Sequence, residues 1–146
     1  MGELSELVRR HYANVAEGHI ERDRAVMSAD IVHISAAAGT VSGIDAFLAF
    51  VVGFKLAFPD LRYELRAFVE GADTVMTEGV FVGTNTGPMV GPGGAVPATG
   101  RRVELPFCDV WTVRDGRIVE NHIYYDQVAF LGQLGLMPTH ASSRPL

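Results

Sequence analysis

Residues 102–126 read RVELPFCDVWTVRDGRIVENHIYYD. Before the turn at Asp115-Gly116 the odd positions are Val103, Leu105, Phe107, Asp109, Trp111 and Val113. The even positions are Arg102, Glu104, Pro106, Cys108, Val110 and Thr112, a more polar set. Alternate residues of a strand point to opposite faces, so the odd face is the buried one. Asp109 then stands alone in an apolar surface. An unpaired carboxylate there is costly, so it must find hydrogen-bond donors or hold its proton.

The second strand, RIVENHIYYD, can close on the first in two ways. A two-residue Asp-Gly turn sets Trp111 opposite Glu120 and Leu105 opposite Asp126. A type I turn with Gly116 as a bulge sets Trp111 opposite Val119, Phe107 opposite Ile123 and Leu105 opposite Tyr125. The second register matches apolar to apolar and is preferred. It sets Asp109 against Asn121. Val119, Asn121, Ile123 and Tyr125 then face inward, while Glu120, His122, Tyr124 and Asp126 face out. His122 and Asp126 resemble an acid/base pair in the linear text, but parity removes them from the buried side. Asp126 reads instead as the cap of a helix that begins at Gln127.

Working outward, Leu4, Leu7, Val8, His11 and Val15 recur at helical spacing, with Gly18 as a stop. His11 lies in that apolar stripe and Tyr12 at its edge, as core residues or as pocket residues. HIERDRAVM suggests a second short helix ending near Ala29–Asp30. IVHIS is a short β-branched strand and AAAGTVSG a loop. IDAFLAFVVGFKLAF is helical and apolar nearly all round, and FPD stops it. Its Phe47, Phe50, Phe54 and Phe58 form a stripe that suits a core or a cavity wall. From Leu61 the period becomes two, with Tyr63, Leu65, Ala67 and Val69 on one face and Phe68 out of phase. TVMTEGVFVGTN is the next strand, with Gly79 and Gly83 at bulges or bends. TGPMVGPGGAVPATG is a long loop of the kind that often serves function.

The chain has 146 residues, 48 % apolar and 20 % charged, which fits one soluble domain. We expect it over 1–138, followed by a polar tail at 139–146. A net charge of −5 argues against nucleic acid as a partner. No apolar run reaches the ~18 residues of a membrane span. The first residues are acidic and amphipathic, so no signal peptide is expected. The single Cys108 suits a reducing cytoplasm. No GxGxxG, P-loop or metal-ligand spacing occurs, so no metal and no cofactor are expected.

FPDLRYEL (58–65), GTNTG (83–87), PATGRRVELPFCDVWTVRDGRIVE (97–120) and YYDQVAFLGQLGL (124–136) resemble the SnoaL-like polyketide cyclases. These belong to the α+β superfamily of nuclear transport factor 2, scytalone dehydratase and ketosteroid isomerase. The resemblance implies a cone-shaped single domain, with a curved, mixed or antiparallel sheet wrapped around N-terminal helices and enclosing an apolar pocket. It implies a cytoplasmic, cofactor-independent enzyme of secondary metabolism and antibiotic biosynthesis, a small apolar polyketide-like substrate and a homodimer. The family's last strand usually carries E-H-W-D-x-x-D; here the first of those aspartates is replaced by Ile123. Its H-D-P becomes His33-Ile34-Ser35, and the usual histidine of GTHTG becomes Asn85. Asp109 looks like the protonated oxyanion-hole aspartate of the isomerases, and Tyr12 lies near their oxyanion tyrosine.

The expected catalytic group is therefore Asp109 with Asn121 and Tyr12. The expected pocket residues are His11, His33, Phe54, Phe107, Trp111, Ile123 and Tyr125. With Ile123 in place of the usual carboxylate, a shape-controlled, cycloaddition-like ring closure fits best. Two rival readings stay open: an isomerase or hydrolase using Asp109, and a non-catalytic small-molecule-binding protein. A fold of this kind hosts many reactions, so the site must decide.

Overall fold

The computed structural model describes residues 2–91 and 94–137; the expected tail at 139–146 lies outside them. The first helix, α1 (Glu3–Ala16), buries Val8, His11, Tyr12 and Val15. Glu3 and Glu6 in its first turn complement the helix dipole. Ile20–Ala25 form only a 3₁₀ turn. The helix expected to reach Asp30 is thus cut short, because the strand β1 already begins at Met27 and runs to Ser35. Its pairing is irregular between Met27 and Val32, and the exposed Ala29 and Asp30 hide the alternation there.

The segment expected as a loop after β1 contains a four-residue edge strand, β2 (Gly39–Ser42), antiparallel to β1. Helix α2 (Ile44–Ala57) follows, then β3 (Arg62–Glu70) and β4 (Thr74–Thr84). The Pro/Gly-rich loop folds into a small separate hairpin of β5 (Met89–Gly91) and β6 (Gly94–Val96). Long strands β7 (Arg102–Arg114) and β8 (Arg117–Tyr125) and helix α3 (Gln127–Gln133) complete the described chain. The main sheet has the order β2-β1-β8-β7-β4-β3. Among the described strands of this sheet, only the β1/β8 pair is parallel. This is the mixed, curved α+β cone, with α1 and α2 packed into its concave face.

Two bulges shape the sheet. On β3, Arg66 is a surplus residue between the Leu65–Gly79 and Ala67–Glu78 pairs. That shift turns Phe68 toward the core and leaves Val69 64 % exposed, against the simple alternation expected there. Gly79, opposite the bulge, has no room for a side chain: a Cβ would lie 2.9 Å from the Glu64 carbonyl oxygen and 3.0 Å from Cζ of Phe107.

The second bulge corrects the expected hairpin. Asp115 (φ 52) and Gly116 (φ 73) both have positive φ, and Arg114 pairs with Arg117. This is a two-residue type I′ turn, not the bulged type I turn that apolar matching favoured. The ladder then slips at Val119, between the Val113–Ile118 and Thr112–Glu120 pairs. Ile118, wholly buried, takes the inward place expected of Val119. Beyond the slip, Trp111 faces Asn121, Asp109 faces Ile123 and Phe107 faces Tyr125. The parity of Asn121, Ile123 and Tyr125 is as expected, although every cross-strand partner differs.

Candidate active site

The concave face of the sheet and the two long helices enclose a cavity of about 110 Å³. All ten expected site residues line it: His11, Tyr12, His33, Phe54, Phe107, Asp109, Trp111, Asn121, Ile123 and Tyr125. Phe47 and Phe50, of the phenylalanine stripe read as core or cavity wall, complete much of the apolar wall together with Tyr63 and Leu105, which sequence reading did not assign to the pocket. Phe50, Phe54, Tyr63, Ile123 and Tyr125 are half-buried lining residues, and Ala37 is the exposed one. His11, Tyr12, His33, Asp109, Trp111 and Asn121 are buried and form the floor.

A string of polar groups crosses that floor. Strand β7 holds Asp109 inward at 3 % exposure. Its Oδ2 accepts the hydroxyl of Tyr12, delivered by α1. Its Oδ1 accepts Nδ2 of Asn121 at 3.0 Å, diagonally across the β7/β8 ladder. Oδ1 of Asn121 meets Nδ1 of His33 at 2.7 Å. Those two residues are register partners in the parallel β1/β8 pair. Burial pushes the Asp109 carboxyl above its ordinary range, against the opposing pull of the Tyr12 and Asn121 bonds. Burial and the adjacent Asp109 carboxyl raise the Tyr12 phenol well above its usual value. Burial lowers the His33 imidazole, with the Asn121 bond acting against it.

The second histidine, His11, is held separately. Its Nδ1 lies 2.8 Å from Oδ2 of Asp23, and Asn14 Nδ2 donates to Oδ1 of the same carboxylate at 2.9 Å. Asp23 is fully buried, yet it sits in a charged 3₁₀ segment with no periodicity to betray it. The His11 ring stands 5.0 Å from that of Trp111, whose Nε1 donates to Thr77 Oγ1 at 3.0 Å.

Other positions flagged in the sequence lie elsewhere. His122 stacks on Tyr124 on the outer face of the sheet. Asp126 caps α3, its Oδ1 accepting the Ala129 N–H at 2.9 Å. Asn85 is a clasp: Nδ2 donates to the carbonyls of Ala57 and Gly87, and Oδ1 accepts from Thr99. It ties the Pro/Gly-rich loop to the end of α2 and does not line the cavity.

The cone and its inward carboxyl define an enzyme-like pocket of the superfamily that the sequence resembles. The chain matches the SnoaL-like polyketide cyclase family over residues 6–134, and it belongs to that family. IdmH of Streptomyces antibioticus, provisionally assigned as a polyketide cyclase, is 28 % identical with a TM-score of 0.76, over 92 % of this chain and 99 % of its own. AclR of Streptomyces galilaeus, provisionally a hydroxylase, is 26 % identical with a TM-score of 0.78, over 93 % and 98 %. A provisional SnoaL-like cyclase from Jannaschia sp. CCS1 shares the fold, with a TM-score of 0.82 at 24 % identity over 93 % and 94 %. No curated protein sequence matches the chain. Among the described residues, no helix is long and apolar enough to cross a membrane.

Proposed function

We propose that the protein is a cofactor-independent cyclase that folds an apolar, polyketide-like chain in the cone and promotes its ring closure. One observation carries this reading: a carboxyl group 3 % exposed at the floor of an otherwise apolar cavity, tied to Tyr12 and Asn121. Burial favours the neutral carboxylic acid. A neutral Asp109 shares its proton with Tyr12, and the pair presents an O–H donor to a substrate carbonyl. Such a donor strengthens its hold as charge grows on the oxygen.

The cavity is comparable in size with the ~150 Å³ that encloses a benzene ring. It accommodates the segment that becomes one ring, while the rest of the chain leaves past Ala37 and Tyr125. Phe107, Trp111, Ile123 and Phe54 act as walls that bring the reacting ends together. Proximity of that kind is worth up to ~7–11 kcal/mol in favourable cases. The working unit in this reading is a homodimer through the outer sheet face, where Met76, Val110 and His122 align across β4, β7 and β8.

The test is deletion of the gene in its host, with complementation by wild type and by Asp109→Leu. Accumulation of an uncyclised precursor, relieved by wild type alone, supports the proposal. An unchanged metabolite profile on deletion overturns it.

A further inference from the structure

Asp109 is the one carboxyl among the described residues lining the cavity, and both its oxygens already accept hydrogen bonds. A different atom in the cavity is uncommitted. His33 is 4 % exposed and lines the cavity, and its Nε2 is buried with no hydrogen-bond partner. The rings beside it are those of Phe47 and Phe50, at 5.2 and 5.1 Å between centroids.

The other end of the imidazole is fixed. Asn121 donates its Nδ2 to Asp109, so its Oδ1 is turned toward His33 and can only accept. Nδ1 of His33 must therefore carry the proton. The lone pair is then on Nε2, on a ring that lines the cavity, three hydrogen bonds along the string from Tyr12. A buried nitrogen lone pair with no partner is a poor structural device, because its lost hydration is not replaced. It is what a proton acceptor for a bound molecule requires. His11 is arranged differently, since its Nδ1 faces the fully buried Asp23 on the other side of the floor.

We propose that His33 Nε2 is the general base of this site and removes a proton from the carbon α to the carbonyl held by Tyr12 and Asp109. This rests on the carbonyl-bearing substrate proposed above. In the step, the C–H bond pair becomes the C=C bond of an enolate, and the carbonyl π pair moves to oxygen, where the O–H donor meets it. The proton sits on Nε2. The enolate carbon then bonds to a second, electrophilic carbonyl carbon of the same chain, and Nε2–H returns the proton to the alkoxide formed. Nothing is oxidised or reduced. The walls select which carbons meet, and His33 makes one of them nucleophilic.

The experiment follows α-hydrogen exchange of 2-tetralone, a compact ketone, in deuterium oxide by proton NMR. Wild-type protein is expected to accelerate exchange above buffer. His33→Gln is expected to lose about 10²–10⁴-fold of that rate, the usual span for a general base, while still binding the probe. Added imidazole is expected to restore exchange to His33→Ala. His122→Gln, on the outer face, is expected to keep the wild-type rate. Full exchange in His33→Gln would overturn the assignment, as would loss of exchange on His11→Gln alone. A second measurement needs no variant: nitrogen-15 NMR of the wild-type histidines should show His33 with Nδ1 protonated and Nε2 bare, and the opposite tautomer sinks the proposal. Exchange that depends on His33 without ring closure of any polyketide chain would remove the cyclase reading and leave the base in place.

Discussion

Asp109 can be replaced in two ways that separate its charge from its shape. Asp109→Leu removes the acceptor for the Tyr12 hydroxyl and for Asn121 Nδ2. Each orphaned donor in this buried floor costs about 1–3 kcal/mol, so the loss is about 2–6 kcal/mol before the relief of removing a desolvated carboxyl. Asp109→Asn keeps the shape; its amide accepts from one neighbour and donates to the other once Tyr12 turns its hydroxyl. The sign of the pH effect follows from the raised carboxyl. A folded-state pKa above the ordinary 3.8 means stability that is full below 3.8 and lost as pH rises through the folded value. Asp109→Asn escapes that loss, so it should melt at or above wild type at pH 7 and gain nothing in strong acid. Melting curves at both pH values, paired with 2-tetralone exchange, give the assay. The Leu variant should lose ~10²–10³-fold in rate, the scale of one oxyanion donor, while Asn keeps the greater part. An inactive Asn variant would make Asp109 itself the base. A fully active, fully stable Leu variant would end any role for it.

Three further outcomes follow from single contacts. Asp126→Ala should cost ~1 kcal/mol through the lost α3 cap and leave turnover alone; a loss of rate at unchanged melting temperature would place Asp126 in the site. Ile123→Asp should destabilise by a few kcal/mol and weaken binding by putting a carboxyl into an apolar wall, whereas Ile123→Val should cost only ~0.5–1.5 kcal/mol; a faster Asp variant would recast the protein as an acid/base cyclase that lost its carboxylate. Exchange should persist to a pH below the ordinary histidine value of 6.5, because burial, aided by the charges His11 and His122 would carry nearby, disfavours the charged form of His33. Stability should fall as pH drops below 6.5 for the same reason; a rate midpoint at or above 6.5 would contradict this. Around His33, His11, Tyr12 and Asp109 share the floor, His122 lies across the sheet on its outer face, and α2 packs Phe47 and Phe50 against the ring.

Much of this site is legible in the sequence because strands announce their faces. Asp109 stands out as one carboxyl in an apolar alternation, and Asn121, Ile123 and Tyr125 follow by parity. The pairing between them is not legible. Apolar matching assumes an unbroken ladder, and the surplus Val119 breaks it. Phe68 signals the β3 bulge only as a fault in a pattern. The 3₁₀ segment conceals Asp23, since six residues among alternating charges show no period. Asn85 replaces a histidine in the family motif, and only its four hydrogen bonds reveal a clasp. The uncommitted Nε2 of His33 depends on which way an amide on another strand is turned, and no local pattern encodes that.

The surplus residue also links the fold to the chemistry. Near the turn, Val113 pairs with Ile118. Had the ladder continued in that register, Trp111 would face Glu120, Asp109 would face His122, and Phe107 would face Tyr124. The inner face of β8 would then be Ile118, Glu120, His122 and Tyr124. That arrangement would bury a glutamate beneath Trp111 without a partner and turn Asn121 to the outside. The slip at Val119 keeps Ile118 in the core and still brings Asn121 inward, at 2 % exposure. Only then can one amide touch both Asp109 on the antiparallel neighbour and His33 on the parallel one. A type I′ turn alone satisfies the backbone, and apolar matching alone satisfies the core. The bulge reconciles them, and the hydrogen-bonded string across the cavity floor exists because it does.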